Sequence, residues 1–143
     1  MAKVIAITNQ KGGVAKTSDA INLADAFRHL GNKILFIDMD PQCNSTAVYN
    51  AQTEGVNTIV DVLKGDCKAD EAVQHTALGD IIAGDKLLNQ EEMFFNNQKA
   101  RESILKRRIF RVIENYDYVF IDTPPNLGIY MLMSLTAADG CVV

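Results

Sequence analysis

Four short runs in this chain are apolar at nearly every position: residues 4–7, 34–37, 118–121 and 141–143. A strand with one wet face alternates apolar and polar residues, so unbroken runs fit strands buried on both faces, as in a parallel sheet covered by helices. Between the first two runs, residues 17–30 put Ala20, Leu23, Ala24, Phe27 and Leu30 on one helical face, and Gly31 supplies a stop. That order is strand, helix, strand. Right-handed crossover geometry then makes the two strands parallel, with the helix packed on the sheet. The expected class is α/β.

The middle of the chain reads as a short helix at 58–64 stopped by Gly65, a further strand at 80–83, and one long amphipathic helix at 98–115. That last segment carries Lys99, Arg101, Lys106, Arg107, Arg108 and Arg111, with Ile104, Leu105, Ile109, Phe110, Val112 and Ile113 at helical spacing. Two readings stand for its basic side: a solvated outer face, or a patch that adds affinity for nucleic acid. A net charge of −4 argues against a surface attractive to nucleic acid all over.

Other features bound the answer. At 143 residues, 48% hydrophobic and 22% charged, the chain supports one globular core, and no Pro/Gly/Ser linker or repeat divides it. No apolar stretch approaches a membrane span, and the N-terminus turns polar too soon for a signal peptide, so a cytoplasmic protein is expected. Cys43, Cys67 and Cys141 lack the spacing of a zinc site, a disulfide framework or an iron-sulfur cluster and read as reduced thiols. The run at 141–143 begins a buried strand and stops with no helix to cover it. The expectation is the N-terminal portion of a longer single domain, 1–143 being truncated at its C-terminus.

After the first strand comes Thr8-Asn9-Gln10-Lys11-Gly12-Gly13-Val14-Ala15-Lys16-Thr17, and the helix starts at once. Consecutive backbone N–H groups leading into a helix N-terminus form a cradle for phosphate, and glycines let the backbone come close. Lys16 would sit between the β- and γ-phosphates, and the Thr17 hydroxyl would ligate Mg²⁺. Gln10 and Ala15 occupy the glycine positions of the usual G-x-x-x-x-G-K-[ST] pattern, so on this motif alone a glycine-rich turn with an exposed Lys16 stands beside the phosphate loop. Asp38 and Asp122 close the second and third apolar runs, which places both carboxylates at the sheet edge where open α/β folds bind ligands.

The stretch Lys11-Gly12-Gly13-Val14-Ala15-Lys16-Thr17-Ser18 resembles the deviant Walker pattern KGGxxK[ST] of the ParA and MinD superfamily, in which Ala15 falls at a free position. The likeness continues through Asn22-Leu23-Ala24, through Phe36-Ile37-Asp38-Met39-Asp40-Pro41-Gln42, and through Phe120-Ile121-Asp122-Thr123-Pro124-Pro125. It is strongest with small partition ATPases that lack an N-terminal DNA-binding extension. It implies a P-loop NTPase fold that binds and hydrolyses ATP with Mg²⁺ and dimerises on ATP.

Carried over by position, Lys11 is the signature lysine that reaches the partner's phosphates, and Lys16 is the loop lysine. Residues Lys11 to Ser18, that is Lys11, Gly12, Gly13, Val14, Ala15, Lys16, Thr17 and Ser18, hold the nucleotide. Thr17, Asp38 and Asp122 serve the metal, Asp40 orients the attacking water, and 123–128 is a switch segment. The resemblance also implies a ParB-type centromere-binding partner, nonspecific DNA and a nucleoid-associated location in the intact protein, with no membrane. Two departures stand out: Cys43 replaces the usual Gly, which should alter the loop's flexibility, and Asp19 stands where Thr or Ser is common. The rival readings are a membrane-positioning ATPase like MinD and a truncated module that binds nucleotide without turnover.

Overall fold

The computed structural model describes residues 2–8 and 14–142, with side chains from residue 17 onward in the second stretch. Its elements run β1 (Lys3–Ile7), α1 (Val14–His29), β2 (Ile34–Asp38), α2 (Asn44–Val48), α3 (Ile59–Lys64), α4 (Ala69–Ala72), β3 (Val73–Thr76), β4 (Gly79–Ile82), α5 (Leu88–Asn96), α6 (Ile104–Ile109), β5 (Tyr118–Asp122), α7 (Ile129–Ala137) and β6 (Gly140–Val142). One sheet has the order β3-β4-β2-β5-β1-β6. All its pairings are parallel except the β3–β4 hairpin. Among the described residues no helix is long and apolar enough to cross a membrane.

Every residue of β2 is buried, as its unbroken apolar run demands. Successive strand side chains point to opposite faces, and the core divides accordingly. Leu35, Ile37, Val119 and Ile121 pack with α3, α5, α6 and α7 on one side. Ile34, Phe36, Ile81 and Phe120 pack with Ala20, Ile21 and Ala24 of α1 on the other. There the Phe27 ring meets Tyr118 and Phe120 edge-on, at 4.8 and 5.6 Å between centroids. The result is a three-layer sandwich.

The expected strands all form, and α3 has the expected limits. Thr58 and Asp61 make a reciprocal capping box at its start, and Gly65 ends it in the left-handed region at φ 78°. Four expectations need correction. Leu30 is 79% exposed, because α1 ends at His29 and the chain turns through Gly31 before Leu30 can face the sheet. Of the run expected to be buried, Cys141 and Val142 are exposed together with Gly140, because β6 is the outer strand among the described residues, and Val143 lies outside them.

The long helix at 98–115 is broken. Ala100 is left-handed at φ 51°, single 3₁₀ turns occupy Arg101–Ser103 and Val112–Asn115, and only Ile104–Ile109 is α-helical between them. The β-branched and aromatic run Ile109-Phe110-Arg111-Val112-Ile113 is a poor helix former. Asp117 and Tyr118 N–H groups must also reach the Lys33 carbonyl, at 2.8 and 3.2 Å, to start β5. Phe110, expected on the apolar face, is exposed. All six basic residues are exposed, yet Arg108 Nε donates to the Leu63 carbonyl at 3.3 Å and its guanidinium lies over Gly65. That cation therefore serves the C-terminal end of α3.

Finally, the sequence carries no expectation of α2, α4 or α7, nor of β3 and α5. The β3 sequence Val73-Gln74-His75-Thr76 has one apolar residue and suits an edge, and α5 buries only Leu88 and Phe95, so neither shows a strong apolar period.

Among the described residues β6 has no strand on its outer side, Val142 is 44% exposed and Leu132 and Leu135 are exposed on α7, so this chain on its own should self-associate whether or not nucleotide is present. Light scattering over a dilution series checks this. A monomer that does not change with concentration is the contrary outcome.

Candidate functional site

The strand register builds the site. Ile7 and Asp38 both pair with Asp122, so the ends of β1, β5 and β2 form one row at the carboxyl edge of the sheet. Asp38 and Asp122 are fully buried in that row, and Asp40 just beyond it is 4% exposed. Across the row stands the first turn of α1. Its Thr17 is 3% exposed and donates from Oγ1 to Asp122 Oδ2 at 3.1 Å. The proposed metal residues Thr17, Asp38 and Asp122 thus come together.

Lys11, Gly12 and Gly13 lie outside the described residues. Val14, Ala15 and Lys16 are described by their backbone, which forms the start of α1. Ser18 follows Thr17 and is exposed, as is Asp19.

Two hydroxyls that sequence reasoning missed complete the cluster. Ser45 Oγ donates to Asp122 Oδ2 at 2.5 Å, and the Thr46 N–H and Oγ1 both donate to Asp38 Oδ2, at 3.0 and 2.7 Å. Ser45 and Thr46 are buried in α2. Their signal was available: two hydroxyl residues open a helix a few positions after a strand-end carboxylate. Thr46 Oγ1 also accepts from the Gly84 N–H at 2.7 Å. A methyl at residue 84 would fall 2.9 Å from Asp38 Cγ, so only glycine lets the end of β4 close over this carboxylate.

Asp40 is tied into the same loop. Its N–H donates to Asp38 Oδ1 at 3.1 Å, and its Oδ1 accepts from the Gln42 N–H at 3.0 Å. Cys43 then stands in the left-handed region, φ 58° and ψ 33°, as the residue before α2. An L-residue costs about 1–2 kcal/mol there, so glycine at this place would relieve strain that the cysteine retains. The departure noted in the sequence therefore tightens the loop's backbone. Burial, then the carboxylates of Asp38, Asp85 and Asp40, push the Cys43 thiol up to about 12, with Lys86 acting the other way. It is a packed thiol with no nucleophilic character near neutral pH. All three cysteines are free, as expected.

On the far side of Asp122, Thr123 is fully buried and its Oγ1 donates to the Ile7 carbonyl at 2.6 Å. This fixes the exit of β5 against the end of β1. The following segment, 123–128, becomes exposed at Asn126 and Leu127 before Gly128 opens α7.

Burial raises Asp38 from 3.8 to about 7, the Asp122 carboxylate adds to the rise, and the bonds from Thr46 and Asp40 oppose it. Among the described residues no three His, Cys, Asp or Glu side chains are grouped to hold a metal. Magnesium takes one or two carboxylates and a hydroxyl and fills its remaining positions with water and phosphate. The donor set fits: two adjacent buried carboxylates cost less beside a divalent cation.

A helix opening above a row of hydroxyl and carboxylate groups, on a mostly parallel sheet covered on both faces, is the frame of a P-loop NTPase-like fold. An AAA domain profile matches residues 2–143, and the chain belongs to that family, within the ParA/MinD superfamily. It is 38% identical to the sporulation initiation inhibitor protein Soj of Bacillus subtilis, over 100% of this chain and 58% of Soj. To the chromosome partitioning protein ParA of Caulobacter vibrioides it is 38% identical, over 99% of this chain and 55% of ParA. A crystal structure of cobyrinic acid a,c-diamide synthase from Mycobacterium smegmatis with bound ATP analog and magnesium superposes with a TM-score of 0.93, at 32% identity, covering 99% of this chain and 59% of that one. The chain spans a little over half the length of these relatives.

Asp38 gives the metal-free chain an unusual pH dependence. Below about 3.8 both folded and unfolded forms are protonated; between there and about 7 the unfolded chain loses the proton first, so stability falls as pH rises and levels off above 7. Asp38→Asn should remove this slope and stabilise the metal-free chain near neutral pH by about 1–3 kcal/mol. Urea midpoints measured from acid to neutral pH read both effects. A variant that keeps the wild-type slope would assign it to another group.

Proposed function

We propose that this chain is the nucleotide-binding part of a ParA-type partition ATPase, an ATP-dependent dimer switch that segregates a plasmid or chromosome. The observation that carries the reading is the buried row Thr17–Asp122–Asp38 beneath the first turn of α1. The partition name of the Caulobacter relative and the ATP analog and magnesium in the Mycobacterium structure support it.

In this reading the backbone of 11–16 and the N-terminus of α1 surround the phosphates, and Lys16 compensates their charge. Thr17, Asp38 and Asp122 would hold Mg²⁺, which when bound neutralises phosphate charge. Ser45 and Thr46 keep the two carboxylates aimed. Asp40 orients the attacking water from a loop that its own hydrogen bonds stiffen. Phosphoryl transfer needs positioning and charge compensation more than covalent help, and these groups supply both. The segment 123–128, anchored at Thr123, responds to the γ-phosphate. A ParB-type partner and nonspecific DNA complete the cycle in the intact protein, with Lys106, Arg107 and Arg111 available to DNA.

Lys16→Ala should abolish Mg-ATP binding, because the loop loses its phosphate cation. Calorimetry giving wild-type affinity would remove the phosphate-loop reading.

Lys11 is assigned to the partner's site. Two lysines flank one short loop although one site needs a single loop lysine, and a cation donated across a two-fold axis can be worth about 10³ to 10⁵ in rate. In the full-length protein, Lys11→Ala and Asp40→Ala should each be nearly inactive. Mixed together they should recover about a quarter of wild-type turnover, since half the dimers then hold one complete site of two. A mixture as inactive as its parts, with heterodimers shown to form, would overturn the in-trans role.

A further inference from the structure

Gly128 ends the 123–128 segment and opens α7. A methyl at this position would lie 2.9 Å from Glu92 Oε1 and 3.5 Å from Asn126 Oδ1. Glu92 is partly buried on α5, and its carboxylate is near enough to help burial push the Tyr130 phenol upward.

The helix that carries Glu92 is held on two sides. Glu91 pairs with Lys64 of α3 at 2.9 Å, and the Tyr130 hydroxyl of α7 donates to the Leu88 carbonyl at 2.5 Å. Phe95 is fully buried and meets the Tyr130 ring at 6.0 Å. The nine-residue α7 has no side-chain cap of its own, so its first N–H groups favour a carboxylate brought by another element.

We propose that Glu92 is a positioning residue for ATP hydrolysis: its carboxylate rests against Gly128, and the joined α5 and α7 form the fixed frame from which the 123–128 segment answers nucleotide. At the other end the same segment is tied by Thr123 to the Ile7 carbonyl, so its travel is set between two anchors. The inference rests on the reading of 123–128 as nucleotide-responsive.

The test uses the full-length protein with Glu92→Ala, Gly128→Ala and the two combined. Glu92 Oε1 is the free end of a flexible side chain, so a methyl at 128 displaces it at little steric cost, and both single changes undo the same contact. Hydrogen exchange of 123–131 with and without Mg-ATP, and steady-state kinetics, are the readouts. All three variants should lose nucleotide-induced protection to the same degree, with kcat down about two- to fivefold and KM for ATP unchanged, the two changes not adding. Additive effects, or wild-type protection and kcat in both single variants, overturn the assignment and leave the ATPase reading standing. Absence of nucleotide-induced protection in the wild type overturns the reading of 123–128 as nucleotide-responsive and this inference with it.

Discussion

Asp38 and Asp122 face each other across adjacent parallel strands with no exposure to water, and the repulsion and desolvation of this pair govern what surrounds them. Antiparallel strands would send neighbouring carboxyl ends to opposite edges. Parallel register brings them to one edge, and the α1 crossover returns the first turn of a helix to the same place. The hydroxyls of Thr17, Ser45 and Thr46 then meet carboxylate oxygens that nothing apolar could accommodate. The outer layers are ordinary packing by comparison. They hold three strand ends level.

Much of this was legible in the residues, for identifiable reasons. The runs around Leu35, Phe120 and Val4 are apolar on both faces, and that pattern reports a parallel covered sheet without help from neighbours. Asp38 and Asp122 stand out because they end such runs. The Thr58 and Gly65 signals bracket α3 through local chemistry alone. What stayed hidden depended on tertiary contact. Ser45 and Thr46 become site residues only when α2 is folded back over β5 and β2, and β3 is a strand only because β4 offers it an edge.

The break in the basic segment has a similar origin. Spacing alone joins Ile104 to Ile113 in one stripe, but the way into β5 forces Val112–Asn115 into a tighter turn. Leu30 was misread because the periodicity continues one residue past the helix that would use it. A match to a helical period does not say where the backbone leaves the helix.

The Cys43 conformation and the raised Asp38 carboxyl share a physical character: each stores unfavourable energy in the folded chain at the carboxyl edge of the sheet. Such local cost is common where a site is shaped for a ligand instead of for its own stability. The hydrogen-bonded loop from Asp40 through Gln42 to Cys43 keeps that cost from relaxing away.

The Thr46 hydroxyl has one proton and gives it to Asp38, while its lone pair takes the Gly84 N–H. That leaves the side chain no rotational choice. Residues 38, 46 and 84 come from three separate parts of the chain, yet one hydroxyl couples them. Valine at 46 strands the Gly84 amide and removes one of the donors to Asp38, and a Cβ at 84 meets the carboxylate. A side-chain change at any one of the three is therefore felt at the other two.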